Sequence, residues 1–320
     1  MFLANTATGM PLNVTADGMN RHGPLASRGT STYIKTAAVG PFPEGFAEES
    51  YNGFEGVISG ADTSLTVSGN VRAYWTRDFQ QHAWSSISYK TLDLRGKSLR
   101  WTTDISRVGC GCNAALYLVA MPAAGQGDIS GYCDIQGSGS GYCLEIDLLE
   151  GNKKAIQTTL HTQHGKQTDG TCNQYGASAG IELEAIGQPP PRTPPRAESL
   201  SWPSWTGCAI NWGKDDQSRY GLGSPVDSGR PYEMDAAFDA DGHMTVKIQQ
   251  DGTWHEYWNV SSAGNGTLVA GRKGVPEEAS QAVASAMERG AVLAISLWES
   301  KDDTAWLNGA CNSEVRNDMM

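Results

Sequence analysis

Three acids fall close together in the segment Cys143-Leu144-Glu145-Ile146-Asp147-Leu148-Leu149-Glu150, which is otherwise apolar and strand-like. In a strand, Glu145 and Asp147 point to one face because the side-chain period is two. Glu150 then falls on the opposite face. A one-residue bulge at Leu148–Leu149 returns it to the face of Glu145, and bulges are frequent beside active sites. Three carboxyls then converge in one groove, while Ile146 and one leucine anchor the strand in the core. Like charges this close raise at least one pKa and keep one carboxyl protonated near neutral pH. A nucleophile paired with a general acid needs that split. Double-displacement cleavage of glycosides uses two carboxyls roughly 5–5.5 Å apart, an offset one bulged turn of strand supplies. Spacing alone does not say which glutamate plays which part. In isolation the pattern arises by chance in roughly one chain of this length in twenty, as a solvated acidic edge or a calcium site. Its context matters more: Gly137, Gly139 and Gly141 give a turn before the strand, and Cys133 and Cys143 are placed to staple it.

The elements that must hold these residues are short. Alternating segments recur at 54–59, 63–68, 71–79, 84–90, 98–105, 114–121, 142–149, 156–162, 180–186, 232–239, 243–250, 254–260 and 291–298, separated by Gly, Ser, Asn and Asp clusters. Many short strands with turns between them predict an all-β sandwich or barrel. One helix is expected over 276–289, with Ala279, Ala282, Val283, Ala286 and Met287 on one face, Pro276 in the first turn and Gly290 closing it. Residues 188–205 are Pro-rich and cannot pair as a strand, so they form a long surface loop rather than a linker. Residues 1–32 show no clear period and are expected to be irregular. Residues 33–320 then form a single catalytic domain, with no internal repeat.

The 320 residues leave core size unlimited. A net charge of −11 argues against nucleic acid and anionic membrane as partners. A neutral polysaccharide fits better, since it needs stacking surfaces and hydrogen bonds, and the ten Trp supply platforms for sugar faces wherever they are not core. Seven Cys leave at least one thiol unpaired. Sequons at Asn13, Asn259 and Asn265 suit a secreted protein, no apolar run has membrane-spanning length, and residues 1–30 lack the apolar core of a signal peptide.

Five stretches in order carry a family resemblance: Val108–Met121 (VGCGCNAALYLVAM), Gly131–Gln136 (GYCDIQ), Cys143–Asn152 (CLEIDLLEGN), Leu160-His161, and Val292–Trp298 (VLAISLW) with Ala305-Trp306-Leu307. Together they resemble glycoside hydrolase family 7, the cellobiohydrolases and endoglucanases of fungal type, over about residues 90–175 and 288–311. The resemblance implies a concanavalin-like jelly-roll sandwich of two antiparallel sheets with a substrate groove on its concave face. It implies Glu145 as nucleophile, Glu150 as acid and then base, and Asp147 as hydrogen-bond partner of Glu145. Asn113, Tyr117, Asp134 and Gln136 match groove-lining positions, His161 a histidine beside the acid/base, and Trp298 and Trp306 tryptophans that stack on sugar rings flanking the cut. Cys110–Cys311 and Cys133–Cys143 match family bridges. Cys172 and Cys208 fall near family cysteines whose usual partners are missing here, so the resemblance leaves a pairing between them open, and Cys112, at a position where the family carries an apolar residue, is its candidate free thiol. The segment between Asp134 and Cys143 is much shorter than the tunnel-roofing loops of cellobiohydrolases, which implies an open groove and endo-type cleavage of β-1,4-glucan. The Trp298–Trp306 spacing is one residue short of the family pattern, and the chain stops soon after Cys311.

The resemblance further implies a β-glucan substrate, an extracellular location, a monomer, and no metal or organic cofactor. Two readings compete: a laminarinase-like hydrolase of the same clan, cutting β-1,3 or mixed-linkage glucan, and a non-catalytic carbohydrate-binding descendant. Cys110-x-Cys112 and His161-x-x-His164 do not form paired zinc knuckles, and no Lys or helix follows the 137–141 glycines as a phosphate loop requires.

Overall fold

The computed structural model describes residues 12–17, 33–34, 46–50, 57–61, 64–68, 71–76, 84–127, 129–135, 140–141, 143–162, 208–213, 216–259, 277–299 and 304–308. The expected strand 180–186, the Pro-rich segment 188–205, Gln136, Cys172 and Cys311 lie outside them.

Two large sheets form the fold. One runs in the order Thr253–Asn259, Met244–Gln250, Tyr232–Phe238, Lys97–Asp104, Leu12–Asp17, Ser64–Ser68, Val57–Ala61. The other runs Cys208–Trp212, Ile156–His161, Glu145–Gly151, Cys112–Val119, Ala291–Glu299, Val71–Trp75, Phe46–Ser50, Tyr33–Ile34, with Thr91–Leu92 pairing the start of Ala291–Glu299. Every pair in the second sheet is antiparallel. The first is antiparallel apart from Leu12–Asp17, which runs parallel to both neighbours. That strand lies inside the segment expected to be irregular: Leu12, Val14 and Ala16 do alternate with Asn13, Thr15 and Asp17, but over six residues in an otherwise patternless stretch, and pairing on both sides completes the strand.

Sequence alternation becomes burial directly. Tyr232–Phe238 and Met244–Gln250 bury every second residue, as strands with one solvated face must. Asp251 and Gly252 join the second of these to Thr253–Asn259, both with positive φ (51° and 79°), which is what a two-residue hairpin turn demands. Cys112–Val119 is buried throughout, as a central strand covered on both sides. The inward faces meet in one apolar cluster that includes Trp101, Met234, Ile248 and Trp258 from one sheet and Leu116, Leu118, Ile146 and Leu148 from the other. Tyr257 crosses the seam: its hydroxyl donates to the carbonyls of Ile156 and Ile210, and its ring meets Trp212 edge-on with centroids 4.7 Å apart.

The expected helix is present as Glu277–Arg289, with Ala279, Ala282, Val283, Ala286 and Met287 all buried. It ends at Gly290, whose φ of 90° suits the residue past a helix end. The segment 84–90, expected as a strand, is instead a 3₁₀ turn at Trp84–Ser86 followed by isolated bridges at Ser88 and Tyr89. The indole of Trp84 is drawn into the aromatic cluster of Tyr74 and Tyr89, and packing overrides the local pattern.

Candidate active site

The Glu145–Gly151 strand carries the bulge its sequence requires. Against Cys112–Val119, Asp147 pairs with Tyr117 but Leu149 pairs with Leu116, so Leu148 is the extra residue. Against Ile156–His161, the register jumps from Asp147↔Thr159 to Glu150↔Gln157. Ile146 and Leu148 are fully buried in the core between the sheets. Glu145, Asp147 and Glu150 are left on the other face.

That face is polar along each strand flanking the bulge. Asn113 and Tyr117 lie on it from one neighbour, with Thr159, Gln157 and His161 from the other. Asn211 continues the row opposite Gln157. On the far side Ser296 and Trp298 stand opposite Ala115 and Asn113, and Arg72 follows opposite Ser296.

The contacts within the cluster are specific. Asn113 donates from its amide to Glu150 at 2.9 Å. His161 Nε2 lies 3.0 Å from Asp147 Oδ2. The backbone N–H of Ile135 donates to Glu145 Oε2 at 3.3 Å, and Asp147 shares a side-chain hydrogen bond with Glu145. Asp134 is buried and adds its field to both. Its segment is fixed by the Cys133–Cys143 disulfide and by the Cys143 N–H, which donates to the Asp134 carbonyl. Tyr117 hydrogen-bonds Ser296 and Tyr132, and the Arg72 guanidinium stacks 3.5 Å from the Tyr132 ring centroid.

Crowding and burial set the ionisation. Burial, then the neighbouring Asp147, raises Glu150 to about 8, against the pull of His161 and the Asn113 amide. Burial also raises Glu145 and Asp147, each reinforced by the other acids around it. Two acids that share a hydrogen bond in such a place hold one proton between them. The site therefore favours the protonated form of Glu150 near neutral pH, beside a Glu145–Asp147 pair joined by a hydrogen bond and also raised. That pairing can donate a proton and attack an electrophilic carbon.

Of the residues singled out from sequence, Glu145, Asp147, Glu150, Asn113, Tyr117, Asp134 and His161 come together on this face. His161 stands opposite Glu145 and contacts Asp147. Trp298 is half-buried opposite Asn113. Trp306 is half-buried on the four-residue helix Ala305–Asn308. Cys110 is disulfide-bonded, and Cys112 is a buried thiol outside any disulfide. Reading from sequence passed over Arg72, Tyr132, Gln157, Asn211 and Ser296. For Arg72, Gln157, Asn211 and Ser296 the signal is a polar residue within a strand, visible only once the strands are laid side by side; Tyr132 lies in the loop before Cys133 and carries no such signal.

Fold and site together define a jelly-roll sandwich bearing a cluster of raised-pKa carboxyls on one sheet face. The sequence pattern of glycosyl hydrolase family 7 matches residues 51–144, ending one residue before Glu145. The chain is 26% identical over 271 residues to the endoglucanase EG-1 of Hypocrea jecorina, which covers 73% of this chain and 50% of that protein. It thus spans about half the length of that relative. Among solved structures, an endoglucanase I complexed with cellobiose superposes with a TM-score of 0.53 at 21% identity, over 85% of this chain and 73% of that one. A family 7 cellobiohydrolase from Daphnia pulex does so with a TM-score of 0.51 at 17% identity, over 91% and 88%. The pattern over residues 51–144 and the endoglucanase relative make this chain similar to glycosyl hydrolase family 7, and the two solved structures share its fold.

Proposed function

We propose that the chain hydrolyses β-1,4-glucan, as cellulose or mixed-linkage glucan, with retention of anomeric configuration and cleavage within the polymer. The observation that carries this reading is the bulge at Leu148, which sets Glu145, Asp147 and Glu150 on one face with their pKa values raised. In the first step the Glu145 carboxylate attacks the anomeric carbon while Glu150 gives its proton to the departing glycosidic oxygen. Asp147 holds the proton it shares with Glu145 on its own side, leaving Glu145 charged. In the second step Glu150, now ionised, takes a proton from water, which displaces Glu145 from the sugar.

Asn113 orients Glu150; Tyr117, Asp134 and His161 line the groove; Trp298 and Trp306 offer rings to the sugars on either side of the cut. Two carboxyls and water complete this chemistry, so no metal or cofactor enters it. The short span between Cys133 and Cys143, with a sequence separation of 10, favours an open groove and endo action. The two sheets, Leu12–Asp17 included, act as one catalytic domain, which therefore begins before the expected start at residue 33; it is monomeric and extracellular, where a disulfide persists.

The test is reducing-sugar release from soluble cellulose, barley mixed-linkage glucan and laminarin by wild type and Glu145→Gln. Release from the first two, abolished in the variant, is the expected result. No release from either by the wild type refutes the reading. A fall in viscosity that runs ahead of sugar release marks endo cleavage; the reverse order marks exo.

A further inference from the structure

The helix Ala305–Asn308 spans four residues, too few to fix its own position, and its last carbonyls have no partner within it. Two buried asparagines hold it. Asn211 donates from one amide both to the Leu307 carbonyl, at 2.8 Å, and to Gln157 Oε1, at 3.0 Å. Asn152 donates to Asn308 Oδ1, at 2.8 Å, and to the Cys112 carbonyl, at 2.9 Å. Each asparagine therefore bridges the helix to a point next to the acid cluster. Gln157 is the register partner of Glu150. Cys112 directly precedes Asn113, which binds Glu150. Leu307 is fully buried beneath the helix, and Trp306 is half-exposed beside it.

Resting on the function proposed above, we infer that Asn211 is a positioning residue for the leaving-group side of the cut. It sets the offset between the Trp306 ring and the Glu150 carboxyl, so a sugar stacked on Trp306 presents its glycosidic oxygen to that proton. Nothing in this role touches Glu145 or the sugar it attacks. Loss of Asn211 should therefore harm substrates whose departing group is a sugar that must be stacked and protonated. An aryl cellobioside with a strongly acidic phenol needs neither.

The experiment compares cellotetraose with 2,4-dinitrophenyl cellobioside for wild type, Asn211→Ala and Trp306→Ala, with thermal melting as the check on folding. Misplacing a reacting group costs up to about a hundredfold; for Asn211→Ala a fall of about tenfold in kcat/KM on cellotetraose is expected, with the aryl substrate within about twofold of wild type. In the Trp306→Ala background the Asn211 substitution should add little. Asn308→Ala, at a half-buried position, removes the second tie and should give the same split if Asn211→Ala does not fold. A parallel loss on both substrates, or no loss on cellotetraose, overturns the inference while wild-type turnover leaves the proposed function standing. Absence of wild-type turnover on both overturns both.

Discussion

Glu150 is the residue whose environment does most to decide the chemistry. In water its carboxyl would be ionised at neutral pH and useless as an acid. Burial beside Asp147 raises it to about 8, so the proton is held through the neutral range and lost as pH rises through that value. The rate on cellotetraose should accordingly fall above about pH 8 along one ionisation. Glu150→Gln should remove that limb and lower kcat by roughly 10²–10⁴, the usual worth of a general acid. A limb that persists near pH 8 in the variant would assign it to another group. At this scale the sequence was informative only where residue types were unusual: three acids in an apolar strand announce themselves. Arg72, Asn211 and Gln157 do not, because one polar residue in an alternating strand reads as a solvated face until its neighbours are known.

Among the elements, the Glu145–Gly151 strand was legible down to its bulge, since only an extra residue reconciles a period of two with acids at both ends. The Glu277–Arg289 helix was equally plain from its apolar spacing. Phe46–Ser50 (FAEES) and Cys208–Trp212 (CAINW) were not, because neither alternates, whereas Leu12–Asp17 alternates but is a single six-residue pattern in an otherwise patternless stretch. The Cys133–Cys143 staple belongs to this scale too. It holds Asp134 and the Ile135 N–H against Glu145, and closing a loop of this size is worth about 3 kcal/mol. A Cys133→Ser/Cys143→Ser double variant should melt lower by several degrees. It should also lose more of kcat than of substrate affinity, because the N–H donor to Glu145 is no longer fixed. Unchanged kcat would show that the loop places itself without the bridge.

For the whole molecule, two sheets share one core and the acid cluster is charged against the fold's interest. The unfolded chain holds Glu150 near 4.5 and the folded one near 8. Between those values the folded state binds the extra proton, so its stability falls as pH rises across that window. Glu145 and Asp147 are raised as well and act in the same direction. Melting temperature should decline from about pH 5 to about pH 8, and Glu150→Gln should flatten the slope and be the more stable protein at the alkaline end. A melting curve that rises over this window would contradict the burial of the cluster. Tyr257→Phe tests the seam between the sheets: it strips the Ile156 and Ile210 carbonyls of the Tyr257 hydroxyl and should cost about 1–3 kcal/mol. The sandwich itself was legible from strand number and alternation, whereas the order of strands was not, since pairing across hundreds of residues leaves no local mark.

The central claim is that Glu145 is the nucleophile of a double displacement. Incubation with a 2-deoxy-2-fluoro cellobioside bearing a dinitrophenyl leaving group should stall the second step and leave the sugar on the enzyme. Peptide mapping by mass spectrometry should then find the adduct on Glu145. An adduct on Glu150 or on another residue, or hydrolysis with inversion and no adduct at all, would contradict the account.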